Sequence, residues 1–322
     1  MAIFDVHLSV PYPPHGSAEW LAVRWADPEG KRRVPASDAG VLFGVHPFVS
    51  EGELAARMLS PVPPQPVEQT EAMERGHRLE EPLALWWADR HGLSVVKPSV
   101  LYVTGRVITS LDFEIVESSV AHVEVKTTSS RFDGSLPPSW WWQGVAQCYA
   151  TGHTQVEWVI LDGRLMLHEF TQVVSAEDVD RFEQQVAFWL TWIDLGVPPE
   201  GVELSYADQA SRFPGSSVGS DAVVFDVVDV ARLRLLLGLQ DTIATLEKEL
   251  DRLKAGFAER LGEAEAARFG DEVLLTWATS TSRRVDTKAL AAEHPELVEK
   301  FTRTSTSRRF VPKRKAIEGV VL

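Results

Sequence analysis

HVEVKTTSS, residues 122–130, alternates valine with charge. In a strand, alternate side chains share a face, so His122, Glu124 and Lys126 point one way and Val123 and Val125 the other. Placing a charge beside apolar neighbours is expensive unless the charge is paired or put to use. The stretch fits either a surface strand with a Glu–Lys pair or a site that needs both charges. The residues around it decide between these.

In the preceding segment, 106–115, the same alternation puts Ile108, Ser110, Asp112 and Glu114 on one side. An aspartate on one strand and Glu-x-Lys on its neighbour bring two carboxylates and an ammonium together. Two carboxylates at that separation repel unless a cation lies between them. Hard oxygen ligands select magnesium or manganese. The lysine can hold or activate a water, or steady the developing charge of a phosphate, which completes a kit for metal-assisted phosphodiester hydrolysis. A register slip of two exchanges Asp112 for Glu114, so either can complete the set.

Working outward, Thr70 caps a helix over 70–91, with Gly76, Leu79, Leu83 and Trp86 at 3–4 spacing and His91-Gly92 as its end. Strands are expected at 94–103, 106–115 and 120–127, and a second helix starts at Ser139 after Pro137-Pro138. Val156–Leu161 and Leu165–Phe170 flank an Asp162-Gly163 turn and read as a hairpin. Ser175-x-x-Asp178 opens a helix to about Leu195, with Val179, Phe182, Val186, Trp189 and Ile193 on one face. Nearer the N-terminus, proline-rich loops bracket a short helix that Ser37 caps and Gly44 stops. The order predicts an α/β (α+β) core with a small mixed sheet flanked by helices.

Residues 200–224, rich in Gly, Pro, Ser and Asp, read as a linker between a domain over 1–199 and a C-terminal region over 225–322. In that region Leu236, Leu239, Ile243, Leu246, Leu250, Leu253 and Phe257 repeat at 3,4,3,4,3,4. This is a heptad helix that either pairs with another chain or lies on its own domain. Short strands and a helix near 287–293 follow.

The net charge of -14 argues against nucleic-acid binding through overall charge. The distribution is uneven: from Arg283 to Glu318 there are ten Lys/Arg against five Asp/Glu, which is either a solvated surface or a phosphate-contacting patch. One cysteine, Cys148, excludes a disulfide framework and any metal or iron–sulfur site built on several cysteines. It is expected to be a buried small apolar group. No apolar run reaches the roughly 20 residues of a membrane span, and no secretory signal is visible. A cytoplasmic protein is the simplest expectation.

Further polar residues join the constellation. Glu80 lies one turn after Gly76; Gln143 and Gln147 sit at i and i+4 behind Trp140-Trp141-Trp142; Glu19-Trp20-Leu21-Ala22-Val23-Arg24 precedes Ala36-Ser37-Asp38. His122 is expected to be a half-buried strand residue rather than a ligand. The tryptophans read as core and helix-start packing, or as a ring that stacks on a base.

In this order the motifs resemble those of the YqaJ-like viral recombinases, phage alkaline exonucleases of the lambda-exonuclease kind within the PD-(D/E)XK nuclease superfamily. The resemblance spans about residues 18–195, from Trp20…Arg24 through the Gly76-x-x-x-Glu80 helix, Asp112, Glu124-x-Lys126 and the Gln143 helix to Thr151-Gly152. A weaker likeness to tails of some phage members runs through Val285–Leu290, Pro295-Glu296 and Ser307–Phe310. The resemblance implies a restriction-endonuclease-like core and a Mg2+- or Mn2+-dependent exonuclease. Such an enzyme resects duplex DNA ends 5′ to 3′ and leaves single strands for an annealing protein, working as a homo-oligomeric trimeric ring. It implies Asp112 and Glu124 as metal ligands, Glu80 as a third acidic residue there, Lys126 at the nucleophilic water and Gln143 at the scissile strand or water. It further implies Arg24 and Ser37 at a terminal 5′ phosphate, a role suited to a guanidinium and a helix N-terminus. Two departures stand out. Asp27–Arg33 is inserted between Arg24 and Ser37, so Arg32 or Arg33 could take Arg24's place, and Leu111 replaces the proline of Pro-Asp. The alternatives are a non-catalytic DNA-binding or assembly module on the same fold, or an endonuclease.

Overall fold

The computed structural model describes residues 8–66, 68–213, 215, 222–302 and 310–320. The chain divides into two compact units, residues 1–213 and 214–322.

Unit 1 is built on two sheets. Helix α4 (Glu71–His91) forms because Thr70 Oγ1 accepts the Met73 N–H, and it ends at Gly92, whose φ of 64° closes the helix without a Cβ clash. Its apolar stripe, Leu83, Ala84, Trp87 and Ala88, is buried against one face of a five-stranded sheet. Five strands make that sheet: β3 (Val95–Val96), β6 (Phe113–Ile115), β7 (Ala121–Thr127), β8 (Gln155–Leu161) and β9 (Leu167–Val173), in the order β3-β6-β7-β8-β9. Strands β7 and β8 are parallel, and every other pairing in the sheet is antiparallel. A parallel pair needs a crossover, and helix α5 (Pro138–Thr151) supplies it, with proline at its first position and Gly152 at φ 78° as its stop. Together with α6 (Ala176–Asp194), held by the Ser175/Asp178 capping box, α5 covers the opposite face.

This mixed α/β architecture, a small mixed sheet flanked by helices, is the one expected from the sequence. Strand β7 is therefore sandwiched. Val123 and Val125 pack with α4, while Val156, Trp158 and Ile160 of β8 pack with α5 and α6. His122 is wholly buried, not half-buried, because its face of the strand lies under α5. The three tryptophans of α5 all pack on this core: Trp142 stacks on Phe43 at 3.6 Å and Trp140 on Trp158. Cys148 is buried as expected, and burial pushes its thiol up to about 12.

A second, four-stranded sheet has the order β1-β4-β5-β2, from β1 (Leu8–Pro11), β2 (Val34–Pro35), β4 (Val100–Thr104) and β5 (Val107–Thr109). It corrects two expected strands. The stretch 94–103 splits into β3 and β4, which belong to different sheets, because Pro98 between them cannot donate to a ladder. The stretch 106–115 splits into β5 and β6 at Ser110–Asp112. There the Asp112 carboxylate, instead of a backbone carbonyl, accepts the Val125 N–H at 2.8 Å. Ile108, Ser110, Asp112 and Glu114 thus do not share one strand face.

Helix α1 (Ala18–Trp25) is capped by Ser17. The expected helix at 37–44 is a 3-10 turn, Ala36–Asp38, followed by the short α2 (Ala39–Leu42), and Gly44 at φ 65° stops it. Ser37 lies inside the turn and caps nothing. Helix α3 (Glu51–Leu59) carries Gly52, which a Cβ would drive to 2.5 Å from the Glu203 carbonyl. Glu203 leads into α7 (Tyr206–Arg212), which folds within the stretch expected as linker, capped by Ser205 and Asp208.

In unit 2 the heptad stretch lies inside one long helix, α8 (Val227–Leu261), whose N-terminus Asp226 caps. It is followed by the hairpin β10 (Ala266–Phe269) and β11 (Glu272–Thr276), then α9 (Thr287–Glu293), α10 (Pro295–Phe301) and α11 (Arg314–Gly319). Ser307, Arg308 and Arg309 of the tail motif lie outside the described residues. Among the described residues no helix is long and apolar enough to cross a membrane.

Gly144 sets how closely α5 lies on the sheet. A Cβ there would come 2.1 Å from Gln172 Oε1 and 3.1 Å from Trp158 Cζ2. Gln172 cannot yield, because it is buried and bonded to both Trp158 Nε1 and the Trp141 carbonyl at 2.9 Å. Gly144→Ala should therefore lower the thermal midpoint of unit 1. Overpacking costs about 1–3 kcal/mol, more than the roughly 1 kcal/mol that alanine adds to a helix. Gly238→Ala, with nothing within 4 Å, should raise the stability of α8 by about 0.5–1 kcal/mol. Calorimetry of the two variants checks both signs.

Candidate active site

Glu124 is buried at the centre of β7, and its carboxylate is satisfied by donors from two elements. Lys126, two residues along the same strand, donates to Oε1 at 2.8 Å. Gln143 on α5 donates to the same oxygen at 2.6 Å, and Gln147, one turn on, donates to Oε2 at 2.7 Å. Period two on the strand and period 3.6 on the helix bring these groups to one place.

Behind Gln147 the network continues inward. Its amide NH2 faces Glu124, so its carbonyl oxygen accepts, and His122 Nε2–H donates to it at 3.3 Å. His122 Nδ1 is then the acceptor toward His153 Nδ1 at 3.1 Å. Burial, with His153 alongside, pulls His122 down to about 4, so it is neutral at physiological pH and serves as a fixed donor. Sequence reading placed Gln147 beside Gln143 but gave it no role, and it offered no signal for His153.

Asp112 stands in the break between β5 and β6, with its carboxylate against the β7 backbone. Burial, then the Glu124 carboxylate, pushes its carboxyl well above the usual range, with Lys126 opposing and Glu80 adding. Burial alone would pull the Lys126 ammonium down, but Glu124 and Asp112 outweigh it and hold it above its ordinary value. Two carboxylates thus share one cation, the lysine. Glu80 on α4 adds charge from the side and pairs with Lys97 at 3.4 Å, a partner the sequence did not suggest. Glu114 is engaged elsewhere: Tyr102 Oη donates to it, and it lies opposite His122 in the β6–β7 register.

A pocket of about 230 Å³ lies between α1, the 3-10 turn and α3, lined in part by Trp20, Arg24, Arg33, Ser37, Asp38 and Arg57. Arg24 is buried there and donates to Ser37 Oγ at 2.8 Å and to Ser110 Oγ at 3.5 Å. Burial lowers its guanidinium below the ordinary value, and Asp38 partly offsets this. Asp38 itself forms an ion pair with Arg57 at 2.7 Å. The inserted loop 27–33 is a closed turn on Asp27, whose Oδ1 accepts the Glu29 and Lys31 N–H groups. Arg32 is spent on the Met58, Ser60 and Gly30 carbonyls, and Arg33 donates to the Val23 carbonyl.

The donor set fits a divalent metal ion. Hard carboxylate oxygens converge where their mutual repulsion already disfavours ionisation. Among the described residues no group of three His, Cys, Asp or Glu side chains stands ready to hold an ion alone.

Residues 19–154 match the family model of the YqaJ-like viral recombinase domain. The match bears out the resemblance drawn from the motifs and covers every side chain that the motifs singled out around Glu124 and Arg24. Among solved structures, an alkaline exonuclease from Laribacter hongkongensis is similar at 18% identity and a TM-score of 0.44, over 56% of this chain and 93% of that one. A phage-related exonuclease from Haemophilus somnus 129PT is similar at 13% identity and a TM-score of 0.40, over 51% and 94%. No curated protein matches the sequence.

The raised Asp112 carboxyl carries a stability consequence. A folded-state pKa above the unfolded value means the ionised group costs stability at neutral pH, and the cost disappears as pH falls below the unfolded value. Asp112→Asn keeps an oxygen for the Val125 N–H and removes the charge. In metal-free buffer at pH 7 it should stabilise unit 1 by about 1 kcal/mol or more, read by chemical denaturation. A loss of stability would show that Asp112 is held in place by its charge.

Proposed function

We propose that this chain is a metal-dependent DNA exonuclease that resects linear duplex ends 5′ to 3′ and leaves single strands for an annealing protein. The observation that carries the reading is the pair of carboxylates, Asp112 and Glu124, set side by side at one lysine on strand β7. The YqaJ-like match over the same residues supports a nuclease role in recombination.

Asp112 and Glu124 would hold the magnesium or manganese ion, with Glu80 acting on it directly or through water. The bond of Glu114 to Tyr102 supports Asp112 over Glu114 as the ligand. The ion supplies Lewis-acid polarisation of the scissile phosphate and lowers the pKa of a bound water. Lys126, freed from Glu124 when that carboxylate holds the ion, would orient the attacking water and steady the phosphate's developing charge. Gln143 and Gln147 hold the Glu124 carboxylate in one orientation, and the neutral His122 fixes Gln147. Gln143, half-buried at the outer end of this set, would meet the scissile strand. Arg24 and Ser37 form the seat for a terminal 5′ phosphate, since a buried guanidinium bonded to hydroxyls, and among the described residues to no carboxylate, can exchange Ser37 for a phosphate oxygen. A homo-oligomeric ring, trimeric by resemblance, would enclose the duplex.

Purified protein with magnesium should degrade linear duplex DNA and spare a covalently closed circle. Lys126→Ala should cut the rate by about 10²–10³-fold or more. Nicking of the circle would indicate an endonuclease, and absence of activity with either metal a binding module.

Ends bearing 5′ hydroxyls should be degraded more slowly than ends bearing 5′ phosphates, and Arg24→Ala should erase the difference. Equal rates for both ends in the wild type would remove Arg24 and Ser37 from the mechanism.

A further inference from the structure

The heptad stripe of α8 lies open. Leu239, Ile243, Leu246, Leu250, Leu253 and Phe257 are each 51–63% exposed, although they share one helix face. Scattered apolar residues on a surface are ordinary, but a continuous seam at strict 3,4 spacing is not. With Leu236, Ile243, Leu250 and Phe257 at a, the d positions are Leu239, Leu246 and Leu253. The chain's own C-terminal helix α11 does not cover this seam. It packs on the flank behind it: Leu237 and Ile317 are buried, Arg234 donates to the Ile317 and Val320 carbonyls, and Arg314 donates twice to Asp241. Arg234 and Asp241 fall at f and Leu237 at b, opposite and beside the seam rather than on it.

We propose that α8 is one strand of a parallel, in-register coiled coil formed with a second copy of this chain. Only a helix of the same period can keep seven successive knobs in register along about 33 Å of seam. Leucine fills every d position, and β-branched Ile243 stands at a central a between Leu236 and Leu250. The charges select the direction. In a parallel pair Glu249 at g faces Lys254 at e of the second copy, and symmetry repeats the contact. The antiparallel registers with the longest overlap set glutamate against glutamate at 247 and 249, or against Gln240 and Thr242; the one that sets Glu247 against Lys254 leaves Leu236 and Leu239 beyond the end of the second helix and Ile243 against Arg260. Glu249 is already turned along the helix to Arg252 at 2.6 Å, so the pair adds direction more than strength. This inference is independent of the nuclease reading: the seam links copies whatever unit 1 does.

Sedimentation of the full chain in the micromolar range tests it. Ile243→Glu combined with Leu246→Glu should lower the assembly mass at least twofold without loss of helix by circular dichroism. Leu246→Cys should form an interchain disulfide on oxidation, whereas Lys248→Cys, on the far flank, should not; the buried Cys148 does not compete. Glu249→Lys should shift assembly to higher concentration, and adding Lys254→Glu should restore it. A monomeric wild type, a mass unchanged by the seam substitutions, or an assembly in which Leu246→Cys fails to cross-link would each overturn the proposal.

Discussion

The Glu124 carboxylate is the constraint around which unit 1 is arranged. A charge buried in the middle of a sheet costs several kcal/mol unless every lone pair has a donor. Here β7 supplies Lys126 and α5 supplies Gln143 and Gln147, so the helix must lie at one rotation and one height above the strand. Gly144, between the two glutamines, lets it come close enough, and the parallel β7–β8 pair makes the crossover helix necessary in the first place. The opposite face of β7 carries Val123 and Val125 against α4, which supplies the binding energy that holds the strand in place. Strand, helix and sheet order thus follow from the need to keep one carboxylate buried and ready.

The same arrangement leaves a deliberate imbalance. Asp112 sits close enough to Glu124 to be disfavoured as an anion, with only Lys126 to balance both. Such strain in a resting protein suits a site completed by a ligand, which the proposed function takes to be a hard divalent cation. The neutral His122, buried behind Gln147, keeps the donor network fixed without adding a charge of its own.

Much of this was legible in sequence where the physics is local. Thr70 and Ser175 cap α4 and α6 as the capping pattern requires, and Gly92 and Gly152 stop α4 and α5 in the left-handed conformation. The Glu124–Lys126 pair follows from the strand period alone. What sequence could not show depends on long-range contacts. The split of 106–115 arises because a side chain, Asp112, takes a ladder bond from β7, and no local pattern announces that. Ser37 looked like a cap, but the turn around it is 3-10 and its hydroxyl serves Arg24 instead. Gln147 and His153 acquire roles only once α5 lies on β7. In unit 2 the 3,4 spacing revealed the helix, whereas the position of α11 on the opposite flank required the fold.

Crystals grown with manganese and measured at its absorption edge test the central claim most directly. An anomalous peak bonded to oxygens of both Asp112 and Glu124, with the Lys126 ammonium moved off Glu124, is the result the proposed site requires. A peak on Glu114, or no peak at saturating manganese in the presence of duplex ends, would contradict it.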